Sequence, residues 1–520
     1  MTDVRILSEP LGGSPLSLLL QRGGAPSEWM PSIPQGPDEW RRVAAQRADA
    51  ADWSAMWDAL APAIEATGAA ADRLDRVRRE GGVVVTTGQQ PGLFGGPIYT
   101  WSKAVGALAL ADAIERSTGV PTAAVFWAAT DDADFAEAAY TVVARVGGAD
   151  RLVQRAAPEP GTPMSLASLG DVATELAALR SACGSGADVR PIELVSRAYG
   201  DPTRTVGGAY VELLRTLLAP IGVPVLDASH SAVLAASLGT TRGALRSAPA
   251  IERALEQRTR ELRAAGFEPQ VEDMPGLAVV FGREGTRKRR LGVSEDVDAS
   301  IVLTPNVLLR PIVEHALLPT VAYWAGPGEL AYFAQVSAVA AAMDRPTPLA
   351  VPRWSCTLLE PHVEAVLRRL GLQLEDVSTP HAAERRLARE AMDPRTATGL
   401  AALRSEISAL GERLDPEPGS LGLDAVVQGA MASLHHRVNR LERRLLAGIA
   451  RRESDRMRDL GTARGALYPF NERQERALNL IPILARHGVE LLGEMHGAAS
   501  VYADAMVAGN AVRAQASPVA

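Results

Sequence analysis

Cysteine is scarce: Cys183 and Cys356 are the only two in 520 residues. Two cysteines cannot build a disulfide framework, and they fit a reducing compartment. No CxxC pair occurs, so no thiolate zinc site is suggested. There is no basic excess. Lys plus Arg is 54 against 61 Asp plus Glu, a net charge of −7, whereas nucleic-acid binding needs basic surface to neutralise phosphates. Aromatic residues are only 4% of the chain. The longest apolar-looking stretch, residues 316–343, contains Pro319, Pro327 and Glu329, which argues against a membrane span. The opening MTDVRILSEPLGG has no apolar core and is not a secretory signal. HExxH, GxSxG, GxGxxG and a Walker P-loop are all missing. What is present is a globular composition, 47% apolar and 22% charged. The expectation is a soluble, cytoplasmic protein of roughly two to four domains that binds neither nucleic acid nor membrane.

Residues 1–50, rich in Pro, Gly, Ser and Trp, read as an extended arm, and 51–80 as an amphipathic helical region. Val83, Val84 and Val85 form a strand of the kind buried on both faces. The Gly-rich turn TTGQQPGLFGG follows, then a helix over 98–116, then a second buried strand at Ala123–Trp127. Strand, turn, helix, strand is the unit of a parallel sheet. The pattern recurs with a short strand closing on Asp227, a helix at 306–316, a strand at 320–324, a helix running to Met343 and an extended segment at 348–352. Residues 277–293 read as a hairpin whose RKRR run is a solvated edge. Beyond His381, Leu403, Ile407, Leu410 and Leu414, then Val427, Met431, Leu434, Val438, Leu441 and Leu445, are spaced four and three apart. That is a heptad seam, folded back at Pro416, Pro418 and Gly419. A last helix spans 471–486, and the tail from 508 reads as disordered. The predicted domains are a 1–80 arm and helix; an 81–380 α/β core with insertions at about 140–205 and 265–300; a 381–465 coiled-coil arm that pairs two chains; and 466–520 returning to the core.

Three constellations could carry chemistry. In the turn, Gly88, Gln89, Gln90, Gly92 and Gly96 lead to Tyr99 and Lys103 at a helix start, a place suited to an anion; the other reading is a tight turn that needs glycine. Asp131, Asp132, Asp134 and Glu137 follow the strand ending at Trp127. Crowded carboxylates need a cation, a substrate amine or a raised pKa, and Asp132 and Asp134 are possible Mg²⁺ ligands; otherwise they cap a helix. Asn306, Arg310, Glu329, Tyr332 and Gln335 form the third group, with Arg353 after the next strand. Arg310 is either a carboxylate or phosphate fork or a structural ion pair.

TGQQPGLFGGPIYTWSK, the FW strand followed by acids, TPNVLLRPIVEHALLPTVAYWAGPGELAYFAQ, PRWSCTLLE and NERQERALN occur in this order over residues 82–490. In these pieces the sequence resembles the cysteine-adding enzymes of bacillithiol biosynthesis. The resemblance implies a Rossmann-like core with inserted segments and a C-terminal α-helical coiled coil that makes a homodimer. It also implies a ligase that joins cysteine to the amine of glucosaminyl-malate in the last step. Activating a carboxylate calls for ATP and Mg²⁺. On this reading Lys103, Asp131, Asp132, Asp134, Glu137 and Arg310 are catalytic. Gly88, Gln89, Gln90, Gly92, Gly96, Tyr99, Trp127, Asn306, Glu329, Tyr332, Gln335 and Arg353 bind substrate. The family usually has Glu-Asp-His-Asp where this chain has Asp131, Asp132, Ala133 and Asp134. The missing imidazole leaves two alternatives open: a non-catalytic or diverged scaffold, or a ligase for another amine acceptor.

Overall fold

The computed structural model describes residues 2–154, 157–414 and 423–510. It divides into two compact units. The first comprises residues up to 143, 151–359 and 475 onward; the second comprises 144–150 and 360–474. The helical unit thus begins about twenty residues before the position read from the sequence.

The core of the first unit is a five-stranded sheet, parallel throughout. Its strands are β1 (Val83–Gln89), β2 (Thr122–Ala128) and β3 (Val225–Asp227), with β7 (Thr320–Ala325) and β8 (Ala350–Pro352) later in the chain. Between β3 and β7 lies a separate antiparallel sheet of β4 (Leu277–Glu284), β5 (Arg287–Gly292) and β6 (Val302–Pro305). β2 and β7 are buried along their whole length, which explains their unbroken apolar runs. The order in the main sheet is β8-β7-β1-β2-β3. The chain steps outward from β1 to β3, then returns to the other side of β1. The reversal falls between β1 and β7, and ligands in open parallel sheets bind outside the strand carboxyl ends at such a point.

Helix α1 (Ile98–Thr118) follows β1 and is buried almost all round. A Cβ at Gly106 would lie 2.5 Å from Trp324 Nε1, so glycine is what lets α1 approach β7. Two sequence expectations are corrected. Residues 1–50 contain helices Pro15–Gln21 and Pro37–Ala48, which bury Leu16, Leu20 and Trp40. The chain also does not stop being helical at His487, because Leu491–Val507 packs on α1. Helices α2 (Arg310–Leu317) and α3 (Pro327–Ala342) flank β7 in sequence.

In the second unit, α4 (Pro394–Arg413) packs against α5 (Leu423–Arg452). Leu400, Ile407, Val438 and Leu446 are buried in that seam. Leu403, Leu414, Leu434 and Leu441 are exposed. The turn assigned to Pro416, Pro418 and Gly419, and most of the tail, lie outside the described residues. Among the described residues no helix is long and apolar enough to cross a membrane.

Candidate active site

A cavity of about 550 Å³ opens where β1 and β7 end. Gln89, Gln90, Tyr99 and Lys103 line it from β1 and α1, Asp131 to Asp134 from the loop after β2, and Asn306 and Arg310 from the start of α2. Gly326, Glu329 and Tyr332 at the start of α3, and Arg353 beyond β8, complete that wall. Three distant parts of the chain therefore meet in one charged space.

Lys103 is buried, and its ammonium is fully occupied. Nζ donates to Gly88 O at 2.6 Å and Gln89 Oε1 at 3.1 Å, and lies 2.8 Å from the Glu329 carboxylate. An ammonium has three protons to give, and all three are engaged. Burial lowers its pKa while Glu329 pulls it back up. Glu329 also accepts from the Tyr323 hydroxyl at 2.7 Å and Gly326 N at 2.6 Å. Burial alone would raise its pKa, but Lys103 and these donors hold it below the ordinary value. Lys103 thus ties β1 to the first turn of α3 from the cavity wall.

Arg310 is placed differently. Its guanidinium reaches the Tyr332 hydroxyl at 3.3 Å and lies 3.6 Å from Glu314. Its Nε has no hydrogen-bond partner among the described residues, and neither has either oxygen of Glu314. Burial pushes the Glu314 carboxyl up to about 8, against the pull of Arg310, so at neutral pH Glu314 is protonated. Arg310 is then left without an ionised carboxylate in contact, on a wall of the cavity, where a guanidinium can meet an anionic group.

The acidic loop is tied down by its own backbone. Asp132 Oδ1 accepts Asp134 N at 2.8 Å, and Asp134 Oδ1 accepts Glu137 N at 3.2 Å. Glu137 pairs with Gln90. Burial, then Asp134 and Asp132, raise its pKa. Among the described residues no three His, Cys, Asp or Glu side chains are grouped to hold a metal. Asp132 and Asp134 thus build no all-protein metal cage, and each spends one carboxylate oxygen on the loop's own amides. Asp131 instead receives Lys288, whose Nζ lies 2.7 Å from its carbonyl and 3.3 Å from its carboxylate.

Two family models cover the chain: "Bacillithiol biosynthesis BshC, N-terminal Rossmann-like domain" matches residues 37–300 and 293–354, and "Bacillithiol biosynthesis BshC, C-terminal coiled-coil domain" matches 356–506. The chain belongs to the BshC family. Relatives named "Putative cysteine ligase BshC" include those of Solibacter usitatus, 31% identical over 83% of this chain and 85% of the relative, and Koribacter versatilis, 32% identical over 82% and 83%. The Heliobacterium modesticaldum relative is 30% identical over 81% and 82%.

Several residues expected in the site of this BshC chain lie elsewhere or are committed. Gly92 and Gly96 do not line the cavity. A Cβ on Gly92 would meet Gly96 Cα at 2.7 Å, and Gly96 has φ +72°. The turn needs glycine for its own closure, and Gly95 and Gly96 donate back into it. The Gly95 and Gly96 amides are therefore spent on the turn itself, and of this stretch Gln89 and Gln90 face the cavity. Gly88 is a β1 strand residue whose carbonyl holds Lys103. Trp127 is a core residue of β2. Gln335 spends its amide on both backbone groups of Val271, at 3.0 and 2.7 Å. Asn306 caps Leu308 N and Leu309 N, both at 3.0 Å, while still touching the cavity. Arg353 is bound by the Glu475 carboxylate through two nitrogens, at 2.9 and 2.7 Å.

Sequence reasoning missed Lys288, Phe281 and Arg476, all of which line the cavity. Lys288 belongs to the RKRR run read as a solvated edge, yet only 7% of its side chain is exposed, and it lies 4.6 Å from the Phe281 ring centroid. A signal for it was present. Of the 54 basic residues only Lys103 and Lys288 are lysine, and both reach this cavity.

Proposed function

We propose that this BshC protein is the cysteine ligase of the last step of bacillithiol biosynthesis, joining the carboxylate of L-cysteine to the amine of glucosaminyl-malate. The observation that carries the reading is Arg310, a buried cation on the wall of the switch-point cavity whose guanidinium makes a single hydrogen bond among the described residues, to Tyr332. It would hold an anionic group of the substrates. A free carboxylate does not acylate an amine, so ATP is the proposed activating co-substrate. Its γ-phosphoryl group passes to the cysteine carboxylate and ADP leaves. The sugar amine then attacks the acyl carbon, inorganic phosphate departs with the bonding electrons, and the amine proton goes to a base. No step is assigned to a protein-held metal. No histidine lines the cavity, which favours a second reading, a scaffold without activity.

Purified protein incubated with ATP, cysteine and glucosaminyl-malate separates the two. Mass spectrometry is expected to show the cysteinyl amide. A substrate left unmodified while ATP is intact supports the scaffold, and a product formed only from another amine moves the acceptor. The chain is proposed to work in the cytoplasm, where its two buried thiols stay reduced. We also propose a homodimer through the second unit, because Leu403, Leu434 and Leu441 leave an apolar face open. Light scattering at micromolar concentration is expected to give twice the chain mass, and a monomer would sink the proposal.

A further inference from the structure

A second, smaller cavity of about 210 Å³ shares Asp131 and Lys288 with the first. Nothing in the ligase reading assigns it. Its other walls include Asp227 at the end of β3, Ser229, Arg283 of β4 and Thr304 of β6. The Ser229 Oγ and Thr304 Oγ1 are buried without a hydrogen-bond partner, and Thr304 is only 4% exposed. A buried hydroxyl left unpaired costs free energy unless a ligand or water meets it. Arg283 and Lys288 are direct partners across the β4–β5 ladder. Like charges placed so oppose each other; the Asp131 carboxylate, 3.3 Å from Lys288, meets part of that charge, and a further anion would answer Arg283 as well. Asp227 uses Oδ1 on Thr130 and Ser229 N, and no hydrogen bond reaches its Oδ2 among the described residues.

One small cavity therefore offers two cations, two carboxylates (Asp131, already beside Lys288, and Asp227) and two unpartnered hydroxyls. We propose that it binds a free α-amino acid, with the ammonium group at Asp227 and the carboxylate at Lys288 and Arg283. Choosing cysteine as that amino acid rests on the ligase reading. The arrangement suits the chemistry. Lys288 sits on the shared wall, so the carboxylate that must be activated faces the larger cavity. The amino group is held on the far side as an ammonium, where it cannot compete as a nucleophile.

Calorimetric titration of the full chain with L-cysteine, cysteamine and 3-mercaptopropionate tests this. Cysteine is expected to bind, and the two analogues, each lacking one charge, at least ~10-fold more weakly, the loss of one charge-assisted contact. Arg283→Gln and Thr304→Val should weaken cysteine while leaving malate, a probe of the larger cavity, unchanged. Thr304→Val removes only an unpaired hydroxyl and keeps the test valid should Asp227→Asn fail to fold. Cysteine binding that ignores all these variants overturns the subsite and leaves the ligase reading standing. Binding of a different amino acid that obeys them keeps the subsite and removes cysteine. Failure of all twenty amino acids to bind overturns the proposal.

Discussion

Arg310→Ala is expected to lower kcat/KM for amide formation by ~100-fold or more, the usual loss when one preorganised charged donor is removed from a closed site. Arg310→Lys should recover only part of this, because an ammonium keeps the charge and loses the two-pronged geometry. The fold should survive. Glu314, the neighbour 3.6 Å away, is protonated at neutral pH because burial pushes its carboxyl up to about 8, so removing Arg310 strands no buried anion. The same pair sets a pH dependence. Above about 8 Glu314 ionises, neutralises Arg310 and competes with the incoming anion, so KM should rise on the alkaline side. Glu314→Gln cannot ionise and should flatten that limb while matching the parent at pH 7. An alkaline limb unchanged in Glu314→Gln would show that Glu314 does not govern Arg310, and an Arg310→Ala protein of normal kcat/KM would remove the anion hook altogether.

The second large effect is on stability. Arg353 and Glu475 are 2% and 3% exposed and bonded through two nitrogens, with Ser355 also donating to Glu475. Truncating either partner leaves a charge buried and alone, which costs ~3–5 kcal/mol. Arg353→Ala and Glu475→Ala should each lower the unfolding free energy of the first unit by that amount, read from the shift of the denaturant midpoint multiplied by the slope m. Replacing both, Arg353→Met with Glu475→Leu, should recover most of it, because no orphaned charge remains. If the single and double variants unfold together, the pair contributes packing rather than charge.

The strands of the main sheet were legible because they are buried on both faces. Val83–Val85 and Ala123–Trp127 have no polar face to blur the signal. Part of the cavity's position could be read as well, since the acidic loop and the Lys103 helix follow the ends of such strands, whereas Arg310 comes after β6 of the separate antiparallel sheet. What could not be read were partners supplied from afar. Arg353 looks like an open fork until Glu475, 122 residues onward, closes on it. The glycine turn looks like an anion cradle until its amides fold back on themselves and Tyr199 and Asn479 fill in around it. The RKRR run hid a strand alternation: Arg287 and Arg289 point out while Lys288 and Arg290 turn toward Phe281. A block of like charges carries no such pattern until the partner strand is known.

The near-absence of lysine gives this molecule an unusual chemical address. An acylating reagent selective for side-chain amines has two targets in the whole chain, Lys103 and Lys288. The first has every proton committed to an internal acceptor. The second stands on the wall common to both cavities. Side-chain labelling at Lys288, held there by Asp131, therefore reports on that wall, and protection of that one site on adding a ligand reads its occupancy.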